Sequence, residues 1–153
     1  MKLQQEIKQT KPFRSLQQEA ALALLKTADL VRRQVAKVIA PHNLSLEQYN
    51  VLRILRDAGN AGMATLEVSS RMIEQTPAIT RLLDKLEAKN LVRRERCPED
   101  RRQVLCYITS AGLHLLAGLD DAVESANQRL FTRLGSAEVK NLISLLERLR
   151  DKK

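Results

Sequence analysis

Apolar positions recur along most of this chain at alternating spacings of three and four, the signature of amphipathic helices. Leu24, Ala28, Val31, Val35 and Val38 form one such stripe. It predicts a helix from Leu16 to Ala40, roughly 37 Å long at about 1.5 Å per residue, opened by a Ser15–Gln18 capping box and stopped by Pro41. Residues 1–12 lack periodicity and read as a loose arm. A second capping box, Ser45 to Gln48, is spanned by a hydrophobic staple of Leu44 and Tyr49. It opens a short helix that buries Val51, Leu52, Ile54 and Leu55 and ends in the loop 58–62. Thr65 reads as N-cap of a third helix, and Thr76-Pro77 as N-cap and first residue of a fourth, running to Lys89.

The period then changes. Leu91–Arg96 and Gln103–Thr109 are β-compatible runs, the second alternating Val104, Cys106 and Ile108 inward. The charged, proline-bearing link between them reads as an exposed hairpin tip. Thr109 can cap a long helix carrying Leu116, Leu119, Val123, Ala126 and Leu130, and Gly135-Ser136 separates it from a last helix carrying Val139, Leu142, Leu146 and Leu149. The fold class is therefore mainly α with a small β-hairpin wing. A winged helix-turn-helix over 43–112 is flanked by dimerisation helices at 1–42 and 113–153, all within one domain over 1–153. The stripes on the long helices exceed what one small lobe can cover, so a homodimer is expected.

In a winged helix-turn-helix, one helix enters the DNA major groove while the hairpin grips the flanking backbone or minor groove. The helix from Pro77 to Lys89 turns Ile79, Leu82, Leu83 and Leu86 inward. Its outward N-terminal half presents Thr76, Ala78, Thr80, Arg81 and Lys85, with Pro77 on the same side. Small residues permit close approach, Arg81 can bond a guanine edge bidentately, and Lys85 suits a phosphate. On periodicity alone, an ordinary amphipathic surface helix is the more economical reading.

Charge supports a polyanionic partner without locating it. Lys and Arg number 26 against 18 Asp and Glu, a net charge of +8, yet 43–112 carries only +2 of it. With 44% hydrophobic residues the chain can bury a core, and few glycines and prolines disfavour turn-rich β folds. Cys97 and Cys106 form no CxxC, so neither a disulfide framework nor a structural zinc site is expected. The longest apolar run, around 20–25, is too short to span a bilayer, and the first residues lack a signal-type apolar region. No membrane association and a cytoplasmic location follow as expectations.

The segments Leu44–Leu52, Thr76–Glu87, Leu91-Val92-Arg93-Arg94, Asp100-Arg101-Arg102 and Thr109–Gly112 together resemble the MarR family of bacterial transcriptional regulators. Each piece alone is weak and the combination is specific. Asn90 stands where the family usually has glycine, and asparagine is the next-best residue for a left-handed helix end. The resemblance implies a homodimer reading a palindromic operator on double-stranded DNA. It also implies an Asp100–Arg102 ion pair shaping the wing, with Arg101 or Arg102 reaching the minor groove. Arg94 is counted with this DNA-facing set. By the same resemblance, a small aromatic or phenolic ligand would bind where the dimer helices meet the winged-helix lobe and release a repressor from DNA. His42 and Tyr49 are the candidates to line that junction.

Two other readings stand beside this one. A winged helix can serve as a protein-interaction module, which would need neither Arg81 nor the wing arginines. Cys97, beside Arg96, could be a redox-sensing thiol, although a chance exposed cysteine outweighs it; Cys106 reads as core. An enzyme is not supported, because no catalytic signature occurs and the only histidines are His42 and His114. No cofactor is expected.

Overall fold

The structure, a computed structural model, describes residues 1–75 and 78–152. Among these, seven α-helices and three strands follow in the order α1 (Leu3–Glu6), α2 (Leu16–Ile39), α3 (Leu46–Ala58), β1 (Met63–Ala64), α4 (Thr65–Ser70), α5 (Ile79–Ala88), β2 (Val92–Arg96), β3 (Val104–Ile108), α6 (Ser110–Leu130) and α7 (Ser136–Arg150). The expected architecture is present: mainly helical, with helix α5 followed at once by an antiparallel β2–β3 wing.

The long N-terminal helix keeps its expected start. Ser15 Oγ accepts from the Gln18 N–H at 3.0 Å. The reciprocal half of that box is absent, because the Gln18 side chain accepts from Arg14 N–H at 2.7 Å instead. At the other end Pro41 sits in a 3-10 turn, Ala40–His42, that continues past the α2 terminus at Ile39. Asn43 then takes a left-handed conformation, φ 57°, and reverses the chain into α3. Here the capping box is complete: Ser45 Oγ accepts from Gln48 N–H at 3.1 Å, and Gln48 Oε1 accepts from Ser45 N–H at 3.2 Å. Leu44 and Tyr49 are both buried across it. The arm expected to be loose contains the single turn α1, with no buried residue.

Two local expectations are corrected. Met63 and Ala64 form a third strand, pairing antiparallel with Cys106 and Leu105, so the sheet order is β1-β3-β2 rather than a bare hairpin. Because the chain is committed to that ladder, Ala64 takes the N-cap position of α4 and Thr65 becomes its first helical residue. The Thr65 hydroxyl turns to β3 instead, 3.5 Å from the Val104 carbonyl and 3.7 Å from Cys106 Sγ. The described part of α5 begins at Ile79 with Ala78 at its N-cap; the expected opening at Thr76 and Pro77 lies outside the described residues.

One core holds the lobe to its flanking helices. Leu52 and Leu55 of α3, Val68 of α4, Leu83 and Leu86 of α5, Val92 of β2, Cys106 of β3 and Leu116 and Leu119 of α6 are all fully buried together with Ile39. At about 25 cal/mol per Å² of apolar surface, each such leucine contributes about 1.5–3 kcal/mol. Helix α2 lies along α6. In contrast α7 has no buried residue, and Leu149 is 68% and Ile143 50% exposed. No helix among the described residues is long and apolar enough to cross a membrane.

Candidate nucleic-acid interface

Helix α5 divides cleanly by period. Ile79, Leu83 and Leu86 are buried and Leu82 is half-buried, while Ala78, Thr80, Arg81 and Lys85 are exposed. Arg81, Lys85 and Ala78 line a shallow hollow of about 360 Å³ with Glu47, Glu74, Gln75 and Leu82. The far end of the helix is anchored by Lys89, whose ammonium donates to the Asn43 carbonyl and, at 3.1 Å, to Gln48 Oε1. That anchor fixes α5 against the corner between α2 and α3. Its exit is shaped by Asn90, which adopts the left-handed conformation expected of it, φ 59°.

The wing is closed by main-chain bonds. Cys97 N–H donates to the Gln103 carbonyl and Gln103 N–H to the Asp100 carbonyl, both at 2.9 Å. Asp100 Oδ1 accepts from Arg102 N–H at 3.1 Å, a turn that asparagine and aspartate favour. The expected Asp100–Arg102 ion pair is present but loose, with Nε 3.8 Å from the carboxylate and the Arg102 side chain 96% exposed. The main-chain bond therefore shapes the turn, since an exposed pair of that geometry adds little. Arg96 Nη1 donates to the Arg101 carbonyl at 2.8 Å, which holds the tip from the strand side. Arg101 and Arg102 stand out into solvent.

Arg94 departs from its expected place. Its guanidinium bridges two carboxylates of α5, at 2.5 Å from Asp84 Oδ1 and 3.0 Å from Glu87 Oε1, and is only 21% exposed. Its main-chain N–H donates to Glu87 Oε2 at 3.1 Å. The hydrogen bond from Arg94 holds the Glu87 carboxyl below the ordinary carboxylate range, and Glu87 in turn raises the Arg94 guanidinium. So Arg94 points at α5 rather than outward. On the other face of the strand, Arg93 lies 4.1 Å above the Tyr107 ring, and the ring packs against Gly62. Sequence reading missed the Lys89 anchor and these arginine contacts, because each joins groups on different elements of the fold, where no local spacing rule applies.

A larger cavity of about 600 Å³ lies between α2, α3, α6 and the segment leading to α5. Val31, Val35, Leu46, Met72 and Val123 give it apolar wall residues, and Tyr49 lines it. His42 does not: it is exposed on the 3-10 turn, away from the lining. Burial pushes the Tyr49 phenol above its ordinary range, which keeps it a neutral hydrogen-bond donor. Arg32 is paired with Glu74 and Arg56 with Asp120, whereas Arg53 lies 6.0 Å over the Tyr49 ring. Glu47 and Glu74 border both this cavity and the hollow at Arg81. Of the two thiols, Cys106 is buried as expected and its ionisation is suppressed by burial, while Cys97 is half-buried in the wing.

Comparison with known proteins agrees with this geometry. The MarR family model matches residues 44–104, from the α3 staple to the second wing strand. A MarR transcription factor from Planctomyces limnophilus is 41% identical and superposes with a TM-score of 0.69, covering 89% of this chain and 98% of that one. A mutant MarR from E. coli in complex with operator DNA is 26% identical with a TM-score of 0.78, over 84% of this chain and 91% of that one. The homoprotocatechuate degradative operon repressor of Escherichia coli is 25% identical over 126 residues, 82% of this chain and 84% of that protein. With the winged fold, the matched segment and a 41% identical relative in agreement, this chain belongs to the MarR family of transcription regulators.

Proposed function

We propose that the protein is a homodimeric repressor that reads a palindromic operator with α5 and the wing, and that a small aromatic ligand in the large cavity releases it. The observation that carries the DNA reading is the division of α5, with Arg81 and Lys85 exposed beside two small residues and the opposite face buried. Arg101 and Arg102, exposed at the wing tip, suit the flanking minor groove or phosphates. Support for the repressor role comes from the E. coli relative named as an operon repressor. The uncovered apolar side of α7 supports the dimer.

For the ligand, the support is the cavity itself. It is of drug-like size, has apolar wall residues in Val31, Val35, Leu46, Met72 and Val123, and sets the Tyr49 phenol beside Arg53. Five carboxylates line it against three guanidiniums, three of the carboxylates on α6. An aromatic acid would therefore turn its carboxylate toward Arg53 and away from Asp120, Asp121 and Glu124. Such a ligand weakens DNA binding by the factor by which DNA weakens its own binding.

The test is a gel shift against a site selected from random DNA, repeated from about 50 to 200 mM salt. A binder that neutralises six to ten phosphates loses roughly 10³–10⁵ in affinity across that range. Absence of a shift at every salt overturns the DNA reading in favour of an interaction module. A thermal-shift screen of phenolic acids and their thioesters, with hits retested for release of DNA, tests the ligand reading. Hits that stabilise the protein and leave DNA affinity unchanged refute it.

A further inference from the structure

We propose that Arg94 is a positioning residue for DNA recognition: it locks the wing to the recognition helix through Asp84 and Glu87 and makes no contact with DNA itself. The inference rests on the DNA-binding reading above and names a residue outside the exposed reading surface.

The geometry is a three-point clamp between consecutive elements. One guanidinium nitrogen of β2 reaches both Asp84 and Glu87, one helical turn apart on α5. The Arg94 main-chain N–H fastens the same strand to the second oxygen of Glu87. Two charge-assisted bonds and one main-chain bond thus fix the β2–α5 angle, and with it the distance from Arg81 to the wing tip. A phosphate contact from Arg94 would require this clamp to open, leaving two carboxylates beside a polyanion. The clamp has a second effect for that reason. Asp84 and Glu87 would repel phosphates if unpaired, and Arg94 neutralises them in place.

The two roles for Arg94 predict opposite signs. If it were a phosphate ligand, removing its carboxylate partners would free a cation and strengthen DNA binding. As a positioning residue, it needs them. The double variant Asp84→Asn/Glu87→Gln adds two units of positive charge to the net value. It is nonetheless expected to lose about tenfold in the ratio of selected-site to random-DNA affinity, while random-DNA affinity holds or rises. Arg94→Gln is expected to lose a similar ratio, with the salt slope for the selected site unchanged to within about 0.3. A lost phosphate contact would instead flatten that slope by about 0.9.

Combining the double variant with Arg94→Gln should add little to either, because all three residues act through one clamp. Circular dichroism and sedimentation of each variant exclude loss of fold. Should Arg94→Gln prove unfolded, the carboxylate variant carries the test alone, since it leaves Arg94 in place. A rise in the ratio for that variant, strictly additive losses, or a flattened slope overturns the proposal. If the wild-type protein shifts no DNA at any salt, the DNA reading falls and takes this inference with it. If wild type selects a site and the variants match it, only the inference falls.

Discussion

Arg56 of α3 grips Asp120 of α6 through one guanidinium nitrogen, 3.0 and 2.9 Å from the two carboxylate oxygens. The pair joins the winged lobe to a long flanking helix at the rim of the large cavity. Both side chains are partly exposed, 35% and 45%, so water screens much of the attraction. A double-mutant cycle of Arg56→Ala and Asp120→Ala in urea should give a coupling of about 0.2–1 kcal/mol. A value above about 2 kcal/mol would mean that the pair is desolvated in the working assembly, for instance by a partner subunit.

Gly112 sits in the first turn of α6, where its N–H is capped by Thr109 Oγ1 at 3.1 Å. A Cβ placed there would lie 2.6 Å from the Leu91 carbonyl oxygen and 2.7 Å from Ile108 Cγ1. The oxygen is backbone and already accepts from Thr109 N–H at 3.1 Å, so it cannot step aside cheaply. Gly112→Ala should therefore destabilise by about 1–3 kcal/mol as an overpacked contact, despite alanine's better helix propensity. Chemical denaturation checks this, and a stabilised variant would contradict it. Gly118, further along the same helix with no atom near its missing Cβ, provides the control: Gly118→Ala should stabilise by up to about 1 kcal/mol.

Most of this arrangement was legible in the sequence wherever a local rule governs. The complete capping box at Ser45, the Thr109 cap and the left-handed Asn90 all depend on residues within a few positions of one another. Strand β1 was not legible, because two residues cannot show a period and Met63 and Ala64 pair across the fold with Cys106 and Leu105. For the same reason Thr65 read as a cap: the ladder that displaces it is formed some forty residues away in sequence. Arg94 shows where motif reading stops. The motif places a cation beside the wing, and only the fold reveals that two α5 carboxylates take up its hydrogen bonds.

The Glu87–Arg94 contact also predicts an acid-sensitive contribution to stability. Because the hydrogen bond from Arg94 lowers the folded-state pKa of Glu87, the carboxylate's contribution is fully present above its unfolded value of about 4.3. It is lost as pH falls through the lower folded value. Wild-type stability should thus decline more steeply than that of Glu87→Gln below about pH 4.3, and the difference between them should be constant from pH 6 to 8. Urea midpoints measured across pH 3–8 check it. A difference that instead changes between pH 6 and 8 would assign the effect to another group.

Helix α7 carries the strongest expectation about assembly. Leu145 and Leu149, four residues apart on one side, are 48% and 68% exposed, and the helix buries none of its fifteen residues in the protomer. Apolar surface at this spacing is stable in water when a second helix covers it. Sedimentation equilibrium at micromolar concentration should give twice the chain mass of 17.3 kDa. Leu145→Glu/Leu149→Glu should shift the equilibrium toward 17.3 kDa while the winged lobe keeps its circular dichroism, because neither side chain belongs to the core around Leu52 and Leu83. DNA affinity should fall with it, since two half-sites about 34 Å apart are then read by separate molecules. A wild-type mass of one chain would remove the dimer. A variant that remains dimeric would move the interface off α7, to the exposed Leu25 and Leu30 of α2.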